Sequence, residues 1–313
     1  MSIQKSVSEL LRKEREELGY TLKDVSQKME FNNYQTLSSI ESGEREIKAW
    51  ELAKLAKIYC RDIEYFLSFD SPQTETEILW RTPGTSNNQE LIRRQFLTIC
   101  RNYHNLSELL DKADEADTLL KFAIEKRQLI SENALAYVAK IASQYVDHLN
   151  LGCRPACLLA KILEEKMGAK IIYLPIDSDL SGGATIDPNF GMAILINSND
   201  APWRRNYDLA HEFFHLLTWD IFTKEEVYQQ KEDRKSHVEQ LADVFASSLL
   251  LPEEEVRNEF AVKSSDKSIS YFNLIEIARD FSVSIDALMW RLVNLKLLKK
   301  EKVQEELQKG LIK

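Results

Sequence analysis

Apolar residues recur at helical spacing through the first 67 positions, in short runs broken by tight turns. Residues 6–18 form a charged, amphipathic run that stops at Gly19. Thr21 is placed to cap a helix over 22–29. Asn32 and Asn33 make a turn, and residues 34–41 form another short helix, stopped by Ser42-Gly43. Residues 49–59 carry Leu52, Leu55, Ala56 and Tyr59 on one helical face, and 63–67 close the unit. The pattern predicts an all-α domain over residues 1–68. Breaker residues then cluster, at Asp70-Ser71-Pro72 and from Thr82-Pro83-Gly84 to Asn88. A charged helical pattern returns over 89–128, so residues 69–130 read as linker and helical connector.

Two more helices are predicted at 133–149 and 155–167. The period then changes. Residues 170–174, 182–186 and 192–197 are β-rich runs whose spacing predicts a small antiparallel sheet. Helix returns at 203–219, at 238–251 (ended by Pro252) and through 268–298. The pattern predicts an α+β, mostly α protein: a helical domain (1–68), a connector (69–130), a mixed domain (131–263) and a helical tail (264–313). The last stretch, 296–313, is basic, with six lysines against three glutamates.

Composition narrows the function. The chain has 313 residues, 44% hydrophobic and 29% charged, as folded domains have. Its net charge is 41 − 50 = −9, which speaks against nucleic-acid binding by the whole molecule and leaves it to a local patch. No apolar run reaches the ~18 residues of a membrane span. The N-terminus is charged where a signal peptide needs an apolar stretch, so a cytoplasmic protein with no membrane partner is expected. Cys60 and Cys100 are isolated, and Cys153 and Cys157 stand four apart. They suit small buried thiols rather than a disulfide framework.

The chemistry concentrates at His211-Glu212-Phe213-Phe214-His215. Positions i and i+4 of a helix lie one above the other, so both imidazoles can face one zinc ion. Glu212, about a hundred degrees round the helix, is then beside the metal rather than on it, where a general base works. Leu209, Ala210, Leu216 and Leu217 flank the motif, which predicts a buried helix. A catalytic zinc needs a third protein ligand. Glu239 opens the next helix, with small Ala242 and Ala246 on its face; Asp220 and His237 are the other candidates. Asp243, one turn beyond Glu239, is placed to orient a ligand histidine.

With Ile194-Leu195-Ile196-Asn197-Ser198-Asn199, Asp208-Leu209-Ala210 and the run from Glu239 to Pro252, these motifs resemble the ImmA/IrrE metallopeptidases over residues 133–260. The resemblance implies a zincin-like, gluzincin-type domain with one Zn2+. His211, His215 and Glu239 become its ligands and Glu212 its catalytic base. It also implies endopeptidase activity on a protein, typically a transcriptional repressor of a phage, mobile-element or stress locus. Phe214 stands where the family usually has a small residue and is expected to narrow the cleft; Asp243 stands where asparagine is frequent. If residues 192–197 are an edge strand, a substrate peptide pairs with them. Tyr207 and His237 are candidates for stabilising the transition state.

Residues 6–67 resemble the XRE-type helix-turn-helix domain, on Leu18-Gly19-Tyr20-Thr21-Leu22, Val25, the run from Leu37 to Gly43 and Leu52-Ala53-Lys54-Leu55-Ala56. The family often has glutamine where Leu22 stands, and the turn here is one residue longer. The resemblance places helix 34–41 in the major groove, with Asn33, Tyr34, Gln35, Ser38 and Ser39 towards the bases. Residues 1–68 carry 11 basic and 12 acidic side chains, a net of 11 − 12 = −1. Phosphate attraction then depends on clustering of Arg12, Lys23, Lys28, Arg45 and Lys48. Residues 275–292 form a helix pair expected to pack on the peptidase. Together these predict a DNA-binding regulator with peptidase activity, and a homodimer is compatible with it. Two rivals are a non-catalytic regulator or antitoxin whose zinc domain senses or stabilises, and a regulator that cleaves itself near 69–90.

Overall fold

The computed structural model describes residues 3–67, 76–81, 87–110, 124–176, 180–229, 235–264, 269–301 and 303. The chain divides into two units: Met1–Thr76 with Gly84–Leu106, and Glu77–Pro83 with Ser107–Lys313. Residues of the expected connector are therefore shared between them. Its stretch 111–123 and most of the basic tail lie outside the described residues.

The first unit holds α1 (Ile3–Glu17), α2 (Leu22–Met29), α3 (Gln35–Glu41), α4 (Ala49–Ile58) and α5 (Ile63–Leu67), with most of α6 (Asn87–Leu109). Thr21 begins α2 with a capping box: its hydroxyl accepts the Asp24 N–H, and Asp24 accepts the Thr21 N–H at 2.8 Å. Val7, Leu11, Leu18, Val25, Met29, Leu37, Ile40, Leu55, Tyr59 and Phe66 form the core. Polar groups bind the helices too. Arg15 grips the buried Glu41 carboxylate with Nε and Nη2, at 2.9 and 3.0 Å. The wholly buried Glu14 accepts from Tyr65 Oη at 2.5 Å and Arg61 Nε at 2.9 Å, and pairs with Arg94.

Burial pushes the Glu14 carboxyl up, but the bonds from Tyr65 and Arg61 and the charges of Arg61 and Arg94 outweigh it and hold it below its ordinary value of 4.5. The unfolded chain therefore binds this proton more readily. The stability is present above about pH 4.5 and is lost as pH falls through the lower folded value. Glu14→Gln strands the arginines and is expected to cost about 3–5 kcal/mol at pH 7. The difference from the unsubstituted protein should shrink towards pH 3 in urea titrations followed by far-UV circular dichroism.

In the second unit β1 (Leu79–Trp80) precedes three helices, α7 (Lys126–Leu129), α8 (Ala134–His148) and α9 (Leu159–Met167). Then come β2 (Lys170–Leu174), β3 (Gly182–Asp187) and β4 (Gly191–Asn197), followed by α10 (Pro202–Leu217), α11 (Lys224–Tyr228), α12 (His237–Leu250), α13 (Glu253–Lys263), α14 (Tyr271–Asp280) and α15 (Ile285–Asn294). The strand order is β1-β3-β4-β2. β3 and β4 form the expected antiparallel hairpin, with Ala184 opposite Ile194. β2 pairs with β4 in parallel, Ile172 opposite Leu195, so the sheet is mixed rather than wholly antiparallel. The strands that follow one another in the chain, β2 and β3, are not neighbours in the sheet: β4 lies between them. Asn197, at the end of β4, holds Ile176, just beyond β2: its Oδ1 accepts the Ile176 N–H at 3.1 Å and its Nδ2 donates to the Ile176 carbonyl at 3.0 Å.

This order corrects one expectation. β4 has a strand on each side, so residues 192–197 offer no edge to a peptide; among the described residues β1 and β2 are the edges. A second correction concerns the thiols: Cys100 is buried, but Cys153 and Cys157 are exposed around a short 3-10 turn. The helix pair at the C-terminal end behaves as expected. Leu274, Ile277, Phe281, Leu288 and Leu292 join the core formed by α8, α10, α12 and the sheet. Arg291 donates to the Leu251 carbonyl at 3.0 Å and to Ser248 Oγ at 3.1 Å. Among the described residues no helix is long and apolar enough to cross a membrane.

Candidate metal centre

Pro202 starts α10 at a position where a missing N–H costs nothing, and every residue from Asp208 to Leu217 is buried. The helix lies against β3 and β4 and against α12. Ala242 and Ala246 are wholly buried on α12, and their small side chains permit that close approach. Ser236 Oγ accepts the Glu239 N–H at 3.1 Å, so the cap sets Glu239 in the first turn of α12.

Three side chains converge there. His211 Nε2 lies 3.1 Å from Glu239 Oε2 and 3.2 Å from His215 Nε2. His215 Nε2 lies 3.1 Å from Glu239 Oε1. Among the described residues these are the His, Cys, Asp and Glu side chains grouped closely enough to hold one ion, with ligand atoms all within 4.8 Å of one another. Behind them, His211 Nδ1 lies 3.1 Å from Asp243 Oδ1, and Lys235 Nζ donates to Asp243 Oδ2 at 2.6 Å.

Glu212 is different. Its carboxylate is fully buried, and neither oxygen has a hydrogen-bond partner among the described residues. Gly182 borders it: a Cβ there would lie 3.8 Å from Glu212 Oε1 and only 2.7 Å from the Leu195 carbonyl oxygen. Burial drives the Glu212 carboxyl up to about 7, against the charges of His211 and Arg81. Burial also opposes ionisation of Glu239, but the two histidines overcome it and hold that carboxyl well below the carboxylate range. Burial works to lower both imidazoles; hydrogen bonds to Asp243 and Glu239 raise His211, whereas His215 remains lowered.

This donor set fits a divalent cation. Two imidazole nitrogens and the carboxylate oxygens lie 3.1–3.2 Å from one another, a separation at which lone pairs repel unless a proton or an ion lies between. An unpartnered buried carboxylate beside them is costly in a merely structural site.

Other candidates lie elsewhere. His237 Nε2 is 2.7 Å from the Leu129 carbonyl, and Asp220 is exposed; neither joins the cluster. The Tyr207 hydroxyl donates to the Asp243 carbonyl at 3.0 Å. Phe214 does not narrow a cleft: it is wholly buried, 5.4 Å from the Phe245 ring centre. Sequence reasoning missed Arg81, which pairs with buried Asp208 and lies 3.9 Å from Asp243 Oδ1. The apolar triplet Ile78-Leu79-Trp80 inside a breaker-rich stretch was the available signal.

In the first unit, Asn33, Tyr34 and Gln35 are exposed at the start of α3, and Ser38 and Ser39 are half-buried. Asn33 Oδ1 accepts the Thr36 N–H and hydroxyl, both at 3.1 Å, and so caps the helix. Ser39 Oγ donates to the Gln35 carbonyl at 2.9 Å. Arg12 is paired with Glu16, and Arg45 holds Glu51 at 2.8 Å, which draws charge from the expected phosphate cluster.

Residues 164–293 match the family described as IrrE N-terminal-like domain, of the M78 peptidases, and residues 11–66 match the family described as helix-turn-helix. No curated protein matches the chain. Among solved structures it is similar to a Mycobacterium tuberculosis transcriptional regulator, at 16% identity over 53% of this chain and 49% of that one, with a TM-score of 0.37. The chain thus spans about half the length of that structure.

Proposed function

We propose, from a chain that joins a helix-turn-helix domain to an IrrE-like peptidase-family domain, that it is a DNA-binding regulator that hydrolyses a protein substrate with one zinc ion. The observation that carries this reading is the convergence of His211, His215 and Glu239 beside a buried, unpartnered Glu212 carboxylate. His211, His215 and Glu239 would hold the zinc, which when bound polarises a carbonyl and acidifies water. Glu212 takes a proton at its carboxylate and passes it to the leaving nitrogen. Asp243 fixes the His211 ring through Nδ1, and Lys235 holds Asp243 in turn. The substrate class is a repressor with a helix-turn-helix domain of its own, a choice supported by the domain pairing.

The test is zinc content and proteolysis together. We expect one zinc per chain by mass spectrometry, removable by chelation, and cleavage of the repressor encoded beside this chain's gene that returns with zinc. A zinc held by four protein ligands in X-ray absorption, with no cleavage, would instead support a structural or sensing role.

Duplex DNA is the second partner, approached through the N-terminal end of α3. Gln35 is exposed there and has the side-chain amide that pairs with adenine. On a site selected from random duplexes, Gln35→Ala should weaken binding by about 1–3 kcal/mol in anisotropy titrations and relax preference at one base pair. Asn33→Ala should act differently, by loosening α3, and lower thermal stability as a lost cap does.

A further inference from the structure

An extended polypeptide already lies along the sheet beside Glu212, and it belongs to this chain. β1 runs antiparallel to β3, with Leu79 opposite Ala184 and Trp80 opposite Gly183. The Arg81 N–H donates to the Gly182 carbonyl at 3.2 Å, and Thr185 Oγ1 donates to the Glu77 carbonyl at 2.5 Å. The Trp80 N–H, on the other side, donates to Tyr228 Oη at 2.5 Å. The β3 edge is shaped for such a visitor. A Cβ on Gly183 would stand 2.9 Å from the Leu79 carbonyl oxygen and 3.1 Å from the Trp80 ring. The strand crosses Gly182, the residue that borders the Glu212 carboxylate, and there it presents Arg81.

The Arg81 side chain has a built receptor. Asp208, 1% exposed, pairs with the guanidinium; Asp243 Oδ1 is 3.9 Å away, and the Tyr207 ring centre 5.8 Å. Beyond it opens a groove of about 670 Å³ lined by Trp203, Tyr207, Ser247, Asp286 and Trp290 among others. A ladder of two residues is weakly held by itself. Its flanks, to Thr76 and from Gly84, belong to the other unit. Ile78 and Leu79 are buried, Leu79 within the core, so a strand that takes their place must refill two apolar positions; the short ladder and the unit boundaries on both sides are what allow exchange.

We infer that the β3 edge receives an extended polypeptide whose basic side chain enters the Asp208–Asp243 pocket, and that Leu79-Trp80-Arg81 is the chain's own competitor for that edge. Main-chain pairing supplies affinity and the acidic pocket supplies selection. A tethered competitor acts at an effective concentration near millimolar, so a short substrate is held off and a longer-pairing one displaces it. Calling the visitor a substrate rests on the peptidase reading above; the edge and its occupant do not.

The test therefore reads binding, in the full-length protein, of a fluorescein-labelled synthetic peptide of residues 77–81, Glu-Ile-Leu-Trp-Arg-amide. The double variant Leu79→Asp, Arg81→Ala should release the tethered strand and bind the peptide at least tenfold more tightly than the unsubstituted chain. Adding Gly183→Ala should abolish that gain, and a peptide ending in Glu should bind about tenfold more weakly than one ending in Arg. Equal binding with and without the double substitution, or binding untouched by Gly183→Ala, overturns the inference. Should the double variant unfold, Arg81→Ala alone carries the test, with a smaller gain expected in the same direction. Cleavage of the repressor by the zinc-loaded proteins is measured alongside. Peptide binding as expected, with no cleavage by any form, overturns the peptidase reading and leaves the strand exchange standing.

Discussion

Glu212→Gln is expected to lower repressor cleavage by about 10²–10⁴-fold while the protein still carries one zinc per chain. The structure gives the substitution a narrow meaning. Glutamine has nearly the same shape, and neither Glu212 oxygen has a hydrogen bond to lose among the described residues. What disappears is the capacity to accept and return a proton. Gly182 and the rest of the pocket are undisturbed, so the unfolding midpoint should not fall. The measurement is initial cleavage rate against zinc content on the same samples. Cleavage at the original rate would remove Glu212 from the chemistry; loss of zinc would make it a ligand rather than a base.

Glu239→Ala is expected to cause the largest loss of zinc affinity, beyond the 10–100-fold typical when a ligand's supporting residue is removed. Glu239 touches both histidines at 3.1 Å, so its removal opens one side of the cluster and leaves two buried imidazoles facing each other at 3.2 Å. Asp243→Ala supplies the comparison. It spares all three converging side chains but frees the His211 ring, so a loss of 10–100-fold is expected. Asp243→Asn retains an acceptor for the ring and should lose less. Competition with a chromophoric chelator orders the variants; an Asp243→Ala loss equal to that of Glu239→Ala would overturn the distinction between ligand and support.

The pair His211 and His215 was legible because helical geometry makes i and i+4 neighbours without any tertiary knowledge. The third member was not determined in the same way. Glu239, Asp220 and His237 were all near enough in sequence, and only the packing of α12 on α10 through Ala242 and Ala246 selects Glu239. Asp220 falls on an exposed turn, and His237 is held by a carbonyl from α7. The β3–β4 hairpin followed from strand spacing, whereas the parallel β2–β4 pairing depends on a crossover that no local pattern encodes. β1 escaped for a simpler reason: two residues cannot display a period of two. Arg81 and Asp208 are 208 − 81 = 127 positions apart, and the buried Glu14 cluster draws on Arg61 from the α4–α5 turn, Tyr65 from α5 and Arg94 from α6. Such pairs are properties of the folded chain rather than of any window of it.

The β1–β3 pairing also sets an order of events during synthesis. Leu79 is translated 184 − 79 = 105 residues before Ala184, its partner. At about 5–20 residues per second, β1 waits on the order of 5–20 seconds for a strand to join. In that interval the α1–α5 bundle has all its own residues and can fold first. Glu239 is made 239 − 184 = 55 residues later still. Both β1 and β3 are thus synthesised before the last residue of the His211–His215–Glu239 group exists, so a newly made molecule can pair the two strands before that group is complete.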